Sequence, residues 1–259
     1  MITAGDLPRN FRIDNDLKAS GSAQFNVLQF SNILKKLKNK QGILINLRRE
    51  TQFYVDDISL SLYSQDNTAN NKLSIQAIKK QEKILFDRLQ QEHELMVFRR
   101  KKINADCIEW TPENIVFSNI INSQHLACMN DWDYARIYVG DHLEPDESEI
   151  DAFVNLIRNL PKDKWIHFYC HAGKGRTTTF LTLLDIIKNA RKDDLDSILD
   201  RQRQLGNKDL KKTKSNRKSR KQATKDRLDL IAKFYDYVRD TEHGYTSGMV
   251  WSKWLKKAY

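Results

Sequence analysis

The chain has 259 residues, with 44 Lys and Arg against 34 Asp and Glu, so its formal net charge is +10. Hydrophobic residues at 40% and aromatics at 10% exclude a disordered chain, and 4 Pro with 9 Gly exclude a linker-rich or repetitive one. No stretch approaches the roughly 18–20 apolar residues of a membrane span. Met1–Asn10 lacks a leader-like basic and apolar pattern, and Cys107, Cys128 and Cys170 contain no C-x-x-C pair, against a disulfide framework or cysteine zinc site.

A soluble, globular, basic protein with one sizeable core is expected. In chain order, residues 13–26 read as polar, with Ser20, Gly21 and Ser22 as turn formers. Phe25, Leu28, Ile33 and Leu37 fall at near-helical spacing and predict a helix over 24–38. Gly42–Leu47 is an apolar run that predicts a buried strand, and 54–62 reads as an irregular strand. Ile75, Ile78, Ile84 and Leu85 among many charges predict an amphipathic helix over 74–91. Between 94 and 122 the pattern turns to short β-leaning pieces (95–98, 107–110 and 115–117), read as a small β subdomain inserted in the main fold. A strand at 133–139 follows, then a helix over 147–160 opened by Pro145 and Asp146 and closed by Pro161. The strand 165–169 runs straight into a glycine loop, with a helix at 177–192 beyond it. An amphipathic helix at 228–238 and a tail carrying Trp251 and Trp254 complete the chain. The alternation of strands and helices makes the class α/β, with a single domain over 1–259.

Charge is concentrated in one segment. Residues 208–227 hold ten basic side chains against two acidic ones, a net +8 of the chain's +10. A charge run alone is as often a solvated loop, but a compact basic block suits a polyanionic partner. Aromatic residues are absent from it, so bases have no platform to stack on and no nucleic-acid partner is expected.

The chemistry points to Cys170-His-Ala-Gly-Lys-Gly-Arg176-Thr177. Glycines let a backbone fold tightly enough to aim several N–H groups at one point. The helix that follows adds its unpaired N-terminal N–H groups and positive dipole end. An arginine fork holds two phosphate oxygens at once. A cysteine at the floor of such a cradle sits in a field that favours thiolate, the nucleophilic form. His171, Ala172, Gly173, Lys174 and Gly175 form the expected phosphate cradle between Cys170 and Arg176. The G-x-x-x-x-G-K-[ST] spacing of a nucleotide P-loop is not met.

This loop is the signature of the cysteine-dependent phosphatases that share the protein tyrosine phosphatase fold. Leu7–Arg12, Ala19–Phe25, Asn46–Glu50, Asp141-His142, Pro145, Cys170–Phe180, Arg201-Gln202, Phe234–Val238 and Trp251–Trp254 together resemble one branch, the bacterial cysteine phytases. These dephosphorylate myo-inositol hexakisphosphate, and the resemblance covers nearly the whole chain in order. It implies a tyrosine-phosphatase-like fold, a central sheet flanked by helices with a small inserted β subdomain at about 94–122. It implies a cysteinyl-phosphate intermediate on Cys170, with Arg176 stabilising the transferred phosphoryl group, Asp141 as general acid and Thr177 beside the thiolate. Arg12 and His142 match family positions in the substrate site. The basic segment 208–227 matches the place where the family supplies cations, which makes Arg220 and Arg227, on one face of a helix, the candidate phosphate contacts. No metal or cofactor is expected.

The sequence departs from the family pattern at three positions: Tyr169 stands where the superfamily has His, Asn46 where the family has Asp, and Thr68 where Trp is expected. His167 shares a strand face with Tyr169 and is a candidate to replace the missing His. The expected partner is a small polyanion, an inositol phosphate. Lys174 also suits a phosphoinositide, so an anionic membrane lipid is the alternative partner, and a non-catalytic polyanion-binding module the alternative of a different class. Export or host translocation stays open if the chain is processed or trimmed, as does oligomeric state.

Overall fold

A computed structural model describes residues 6–64, 68–103, 108–206, 208–213 and 215–259. Cys107 and Lys214 lie outside the described residues. The elements run β1 (Arg12–Asp14), β2 (Ala19–Ala23), α1 (Val27–Lys36), β3 (Gly42–Asn46), β4 (Gln52–Val55), β5 (Ile58–Ser61), α2 (Ile75–Leu89), β6 (Glu94–Lys102), β7 (Ile108–Val116) and β8 (Ile120–Ile121). They continue with α3 (Ser123–Cys128), β9 (Asp133–Arg136), α4 (Glu147–Asn159), β10 (Trp165–Cys170), α5 (Gly175–Asn189), α6 (Leu195–Gly206), α7 (Lys218–Arg239) and α8 (Trp251–Ala258).

The central sheet has the order β1-β2-β10-β3-β9. β2, β10, β3 and β9 are parallel and β1 is antiparallel to β2. β10 lies in the middle, and all six of its residues are buried, because helices cover both faces. Ile166 and Phe168 join Ile43, Ile45, Phe153, Phe180 and Phe234 in the larger core, which packs the sheet on α4, α5 and α7. Trp165 and Tyr169 point the other way, into a core with Leu44, Phe25, Phe30 and Ile33 of the α1 side. A β5-β4-β8 sheet and the β6-β7 hairpin stand beside this body. Ligands in open parallel sheets gather outside the C-terminal strand ends, and Cys170 ends the central strand there.

Several elements differ from the expectation. Residues 13–26, read as polar turns, instead hold β1 and the wholly buried β2. Ser20 and Ser22 tolerate burial because their hydroxyls meet His167 Nδ1 and Nε2 at 2.8 and 3.0 Å. The helix expected at 228–238 starts at Lys218, inside the basic block. Lys, Arg, Gln and Ala are good helix formers, and a mostly charged turn displays no apolar period. The short β pieces after residue 94 are two nine-residue strands in a hairpin. The strand expected to reach 139 stops at Arg136, before the loop that carries Asp141. Helices α3, α6 and α8 were not anticipated, although Leu195, Ile198 and Leu199 show helical spacing.

Candidate active site

The loop after β10 is shaped from outside. The carbonyls of His171, Ala172 and Gly173 accept hydrogen bonds from Gln24 N (3.4 Å), Asn10 Nδ2 (2.7 Å) and Arg12 Nη1 (2.7 Å). A trans peptide points its carbonyl and the next N–H in opposite directions. With three successive carbonyls held in this way, the N–H groups of Ala172, Gly173 and Lys174 point away from Gln24, Asn10 and Arg12. Gly173 holds φ at +66°, and a Cβ there would lie 2.3 Å from Ala23 N. Gly173→Ala is expected to lower stability by roughly 1–3 kcal/mol, read as an earlier urea midpoint. An unchanged midpoint would show that the loop relaxes around a methyl group.

Arg176 is buried at the first turn of α5. It donates to Glu50 through Nη1 (2.9 Å) and Nη2 (3.0 Å), and to the carbonyls of Val139 (2.8 Å) and Leu47 (3.3 Å). Asp141 Oδ1 stands 3.0 Å from Arg176 Nη2. Burial works against the Arg176 charge, yet Asp141 and Glu50 outweigh it and raise its proton affinity further. Burial likewise pushes the Glu50 carboxyl up, but Arg176 and Arg48 hold it below its ordinary value. Arg48 is itself fully buried and donates to Glu50 (3.3 Å), Gln52 (2.9 Å), Ser61 (3.0 Å) and Gln24. Arg176 Nε is buried with no hydrogen-bond partner among the described residues. The guanidinium is thus aimed by Glu50.

The loop that carries Asp141 is fastened in three places. Asp146 caps α4 and forms a capping box with Glu149, so the cap role falls on Asp146 rather than Asp141. Glu149 is buried, and burial pushes its carboxyl up to about 7. His142 holds φ at +67°, a left-handed conformation costing a non-glycine residue about 1–2 kcal/mol. Its ring reaches Asp141 Oδ2 at 3.4 Å. Arg227, from α7, donates to the carbonyls of His142 (3.3 Å) and Leu143 (3.0 Å). Arg49 ties the same loop to the preceding segment through the carbonyls of Tyr138 and Leu73.

The remaining expected site residues are spread around this centre. Arg12 is buried behind the loop, where it also donates to Thr178 Oγ1 at 3.0 Å. It braces the cradle; burial lowers its proton affinity to about 10, and the charge of Cys170 acts against that. Thr177 is fully buried, and its Oγ1 has no partner among the described residues. Burial, assisted by Arg48, pushes the His171 imidazole down to about 4, so it is neutral at pH 7. Lys174 is exposed at the start of α5. Arg220 is half-buried and lies two turns before Arg227 on α7.

The departures from the family pattern now have local explanations. The Tyr169 hydroxyl donates to Ser123 (2.8 Å) and meets Gln52, away from the loop. His167 lies on the same face but is enclosed by Ser20 and Ser22, and burial pushes it down to about 3. Asn46 is buried, bonding Tyr134 through its amide (3.1 Å) and accepting from Arg48 N (3.0 Å). It joins β3 to β9 and shapes the turn into Arg48. Thr68 meets Ser64 at 3.1 Å, hydroxyl to hydroxyl, on an exposed segment.

Glu50 and Arg48 were legible only as part of a family motif. The available signal was three charges (Arg48, Arg49, Glu50) directly after a buried parallel strand.

A mainly parallel sheet whose central strand ends in a cysteine, followed by a glycine loop and a helix-borne arginine, is the architecture of the protein tyrosine phosphatase class. Within it, the chain belongs to the PTP-like phytase family, whose family model, described by inositol hexakisphosphate, matches residues 45–188. The structure is similar to that of the PTP-like myo-inositol phosphatase from Mitsuokella multacida in complex with myo-inositol-(1,3,4,5)-tetrakisphosphate, with a TM-score of 0.86 and 28% identity over 96% of this chain and 46% of that one. It is also similar to a PTP-like phytase from Bdellovibrio bacteriovorus, with a TM-score of 0.78 and 29% identity over 96% of this chain and 90% of that one. By sequence it is 24% identical, over 94% of its length, to 52% of effector protein hopD2 from Pseudomonas syringae pv. tomato. The chain thus spans about half the length of the Mitsuokella and Pseudomonas relatives. Among the described residues no helix is long and apolar enough to cross a membrane.

Proposed function

We propose that this protein is a cysteine-dependent phosphatase of myo-inositol polyphosphates, working through a cysteinyl-phosphate. The observation that carries the proposal is the loop after β10: its three successive carbonyls are held by Gln24, Asn10 and Arg12, and Arg176, fixed by Glu50, lies within electrostatic reach of Cys170. The Cys170 thiolate attacks phosphorus in line, the P–O bond to the inositol breaks, and the leaving alkoxide takes a proton from Asp141. The arriving phosphate takes the Nε–Nη2 edge of Arg176 in place of Asp141, which frees Asp141 to face the leaving oxygen. Asp141, then ionised, draws a proton from the water that hydrolyses the thiophosphate ester, returning Cys170 and inorganic phosphate. Arg12, Arg176 and Arg227 all lie within electrostatic reach of Cys170. Thr177 stands ready to hydrogen-bond the departing sulfur.

Residues 208–227 supply the charge for phosphates remote from the reacting one, and 94–122 form an accessory β insertion in a single catalytic unit. Arg227 also holds the acid loop, so Arg220 gives the cleaner test. Arg220→Gln is expected to raise KM for inositol hexakisphosphate about three- to tenfold with kcat nearly unchanged, because remote contacts bind ground and transition states alike. Arg227→Gln should lower kcat as well. An unchanged KM in Arg220→Gln would remove that residue from substrate binding. Similarity to an effector protein supports delivery of this chain into a host cell.

The experiment that tests the reading is phosphate release from inositol hexakisphosphate, a phosphotyrosine peptide and a dispersed short-chain phosphoinositide, assayed in parallel. The highest kcat/KM is expected for the hexakisphosphate. A higher value for the peptide or the lipid would overturn the substrate assignment.

A further inference from the structure

The β6-β7 hairpin has two unlike faces. Leu95 and Ile115 pack against a small core containing Val55, Leu89, Phe117 and Ile120. By strand alternation and register, Met96, Phe98 and Arg100 of β6 share the opposite face with Val116, Pro112 and Trp110 of β7. That face is open: Met96 is 56% exposed, Phe98 59%, Val116 79% and Trp110 39%. At its outer end the Arg100 guanidinium lies 5.5 Å from the Tyr63 ring centroid and 6.0 Å from that of Trp110, and the two rings are 4.8 Å apart. The carboxylate on this face is Glu94, at the base of the hairpin, where the Asn114 amide binds it. Glu113 is on the other face and is paired with Arg99 at 2.7 Å.

We propose that this hairpin face docks on an anionic lipid surface. Aliphatic and phenyl side chains in the middle, with Trp, Tyr and Arg at one end, are the chemistry of a segment lying in a bilayer interface. The charge is complementary: Arg100 lies on this face at its outer end, on a chain of net charge +10. A handful of exposed apolar side chains falls well short of the roughly 20–30 residues a stable protein interface takes from each partner, but suffices to dip into a headgroup layer.

The test is flotation of the full chain with vesicles of phosphatidylcholine alone or with roughly one-third phosphatidylserine, at low and physiological salt. Binding to the phosphatidylserine vesicles is expected, weakened by salt, with far less to the neutral ones. Phe98→Ser with Trp110→Ser should weaken it at least about tenfold, and Arg100→Glu by a similar factor. Arg100→Glu removes no packed apolar group, so it keeps the test valid if the double variant does not fold. Turnover of soluble inositol hexakisphosphate should be unaffected by Arg100→Glu. Flotation is read without turnover, so its outcome is independent of the enzymatic reading. Failure of the parent protein to float with phosphatidylserine vesicles would overturn the proposal. So would flotation of Arg100→Glu equal to the parent, as expected if the basic segment of α7 alone binds lipid or if the face serves a protein partner.

Discussion

Cys170→Ser is expected to reduce phosphate release by at least about 10⁴-fold while leaving affinity for inositol hexakisphosphate within a few-fold of the parent. The two nearest polar side chains of β10 offer a serine there no base: His167 is enclosed by Ser20 and Ser22, and the Tyr169 hydroxyl is turned to Ser123. The groups that bind the phosphate stay in place, because the loop is shaped by Gln24, Asn10 and Arg12 rather than by the thiol. Single-turnover release of phosphate and calorimetric binding separate the two effects. Turnover by the serine variant within tenfold of the parent would exclude a covalent thiophosphate.

Asp141→Asn should lower kcat for an inositol phosphate by about 10²- to 10³-fold, and by much less for p-nitrophenyl phosphate. An alkoxide leaving group needs the donated proton, whereas nitrophenolate departs nearly without it. Substrate dependence is the informative readout, since Asp141 also sits 3.0 Å from Arg176, and its loss alters the field in the cradle for every substrate. Equal losses on both substrates would mean that Asp141 orients Arg176 and does not protonate the leaving group. Asn is the suitable replacement because it keeps the shape of the side chain beside His142 and leaves the loop's ties to Arg227 intact.

The cradle was readable because it is local. Strand, glycine loop and helix start occupy one short stretch, and the backbone rules that orient amides act between neighbouring residues. The buried character of β10 and β3 was likewise legible, since strands covered on both faces must be apolar throughout. The β2 strand was not, because its burial depends on hydrogen bonds to His167, 145 and 147 residues away. A polar segment becomes a core strand only when a distant partner satisfies its hydroxyls. The N-terminal part of α7 was missed for the opposite reason, as its mostly charged turns bury too little to display a period.

What the sequence by itself determined was the fold class, and it singled out the loop from Cys170 to Arg176 as the candidate reactive loop. Only the tertiary structure decided how that loop is held and charged. Glu50 reaches Arg176 across 126 residues, Arg12 reaches Gly173 across 161, and Arg227 reaches the acid loop across 84. Such contacts leave no periodic trace in a sequence, because each depends on where separate elements come to rest. Their energetics are also collective: a buried guanidinium is tolerated only once its carboxylate and carbonyl partners are all in place, and that condition is met by packing rather than by any one segment.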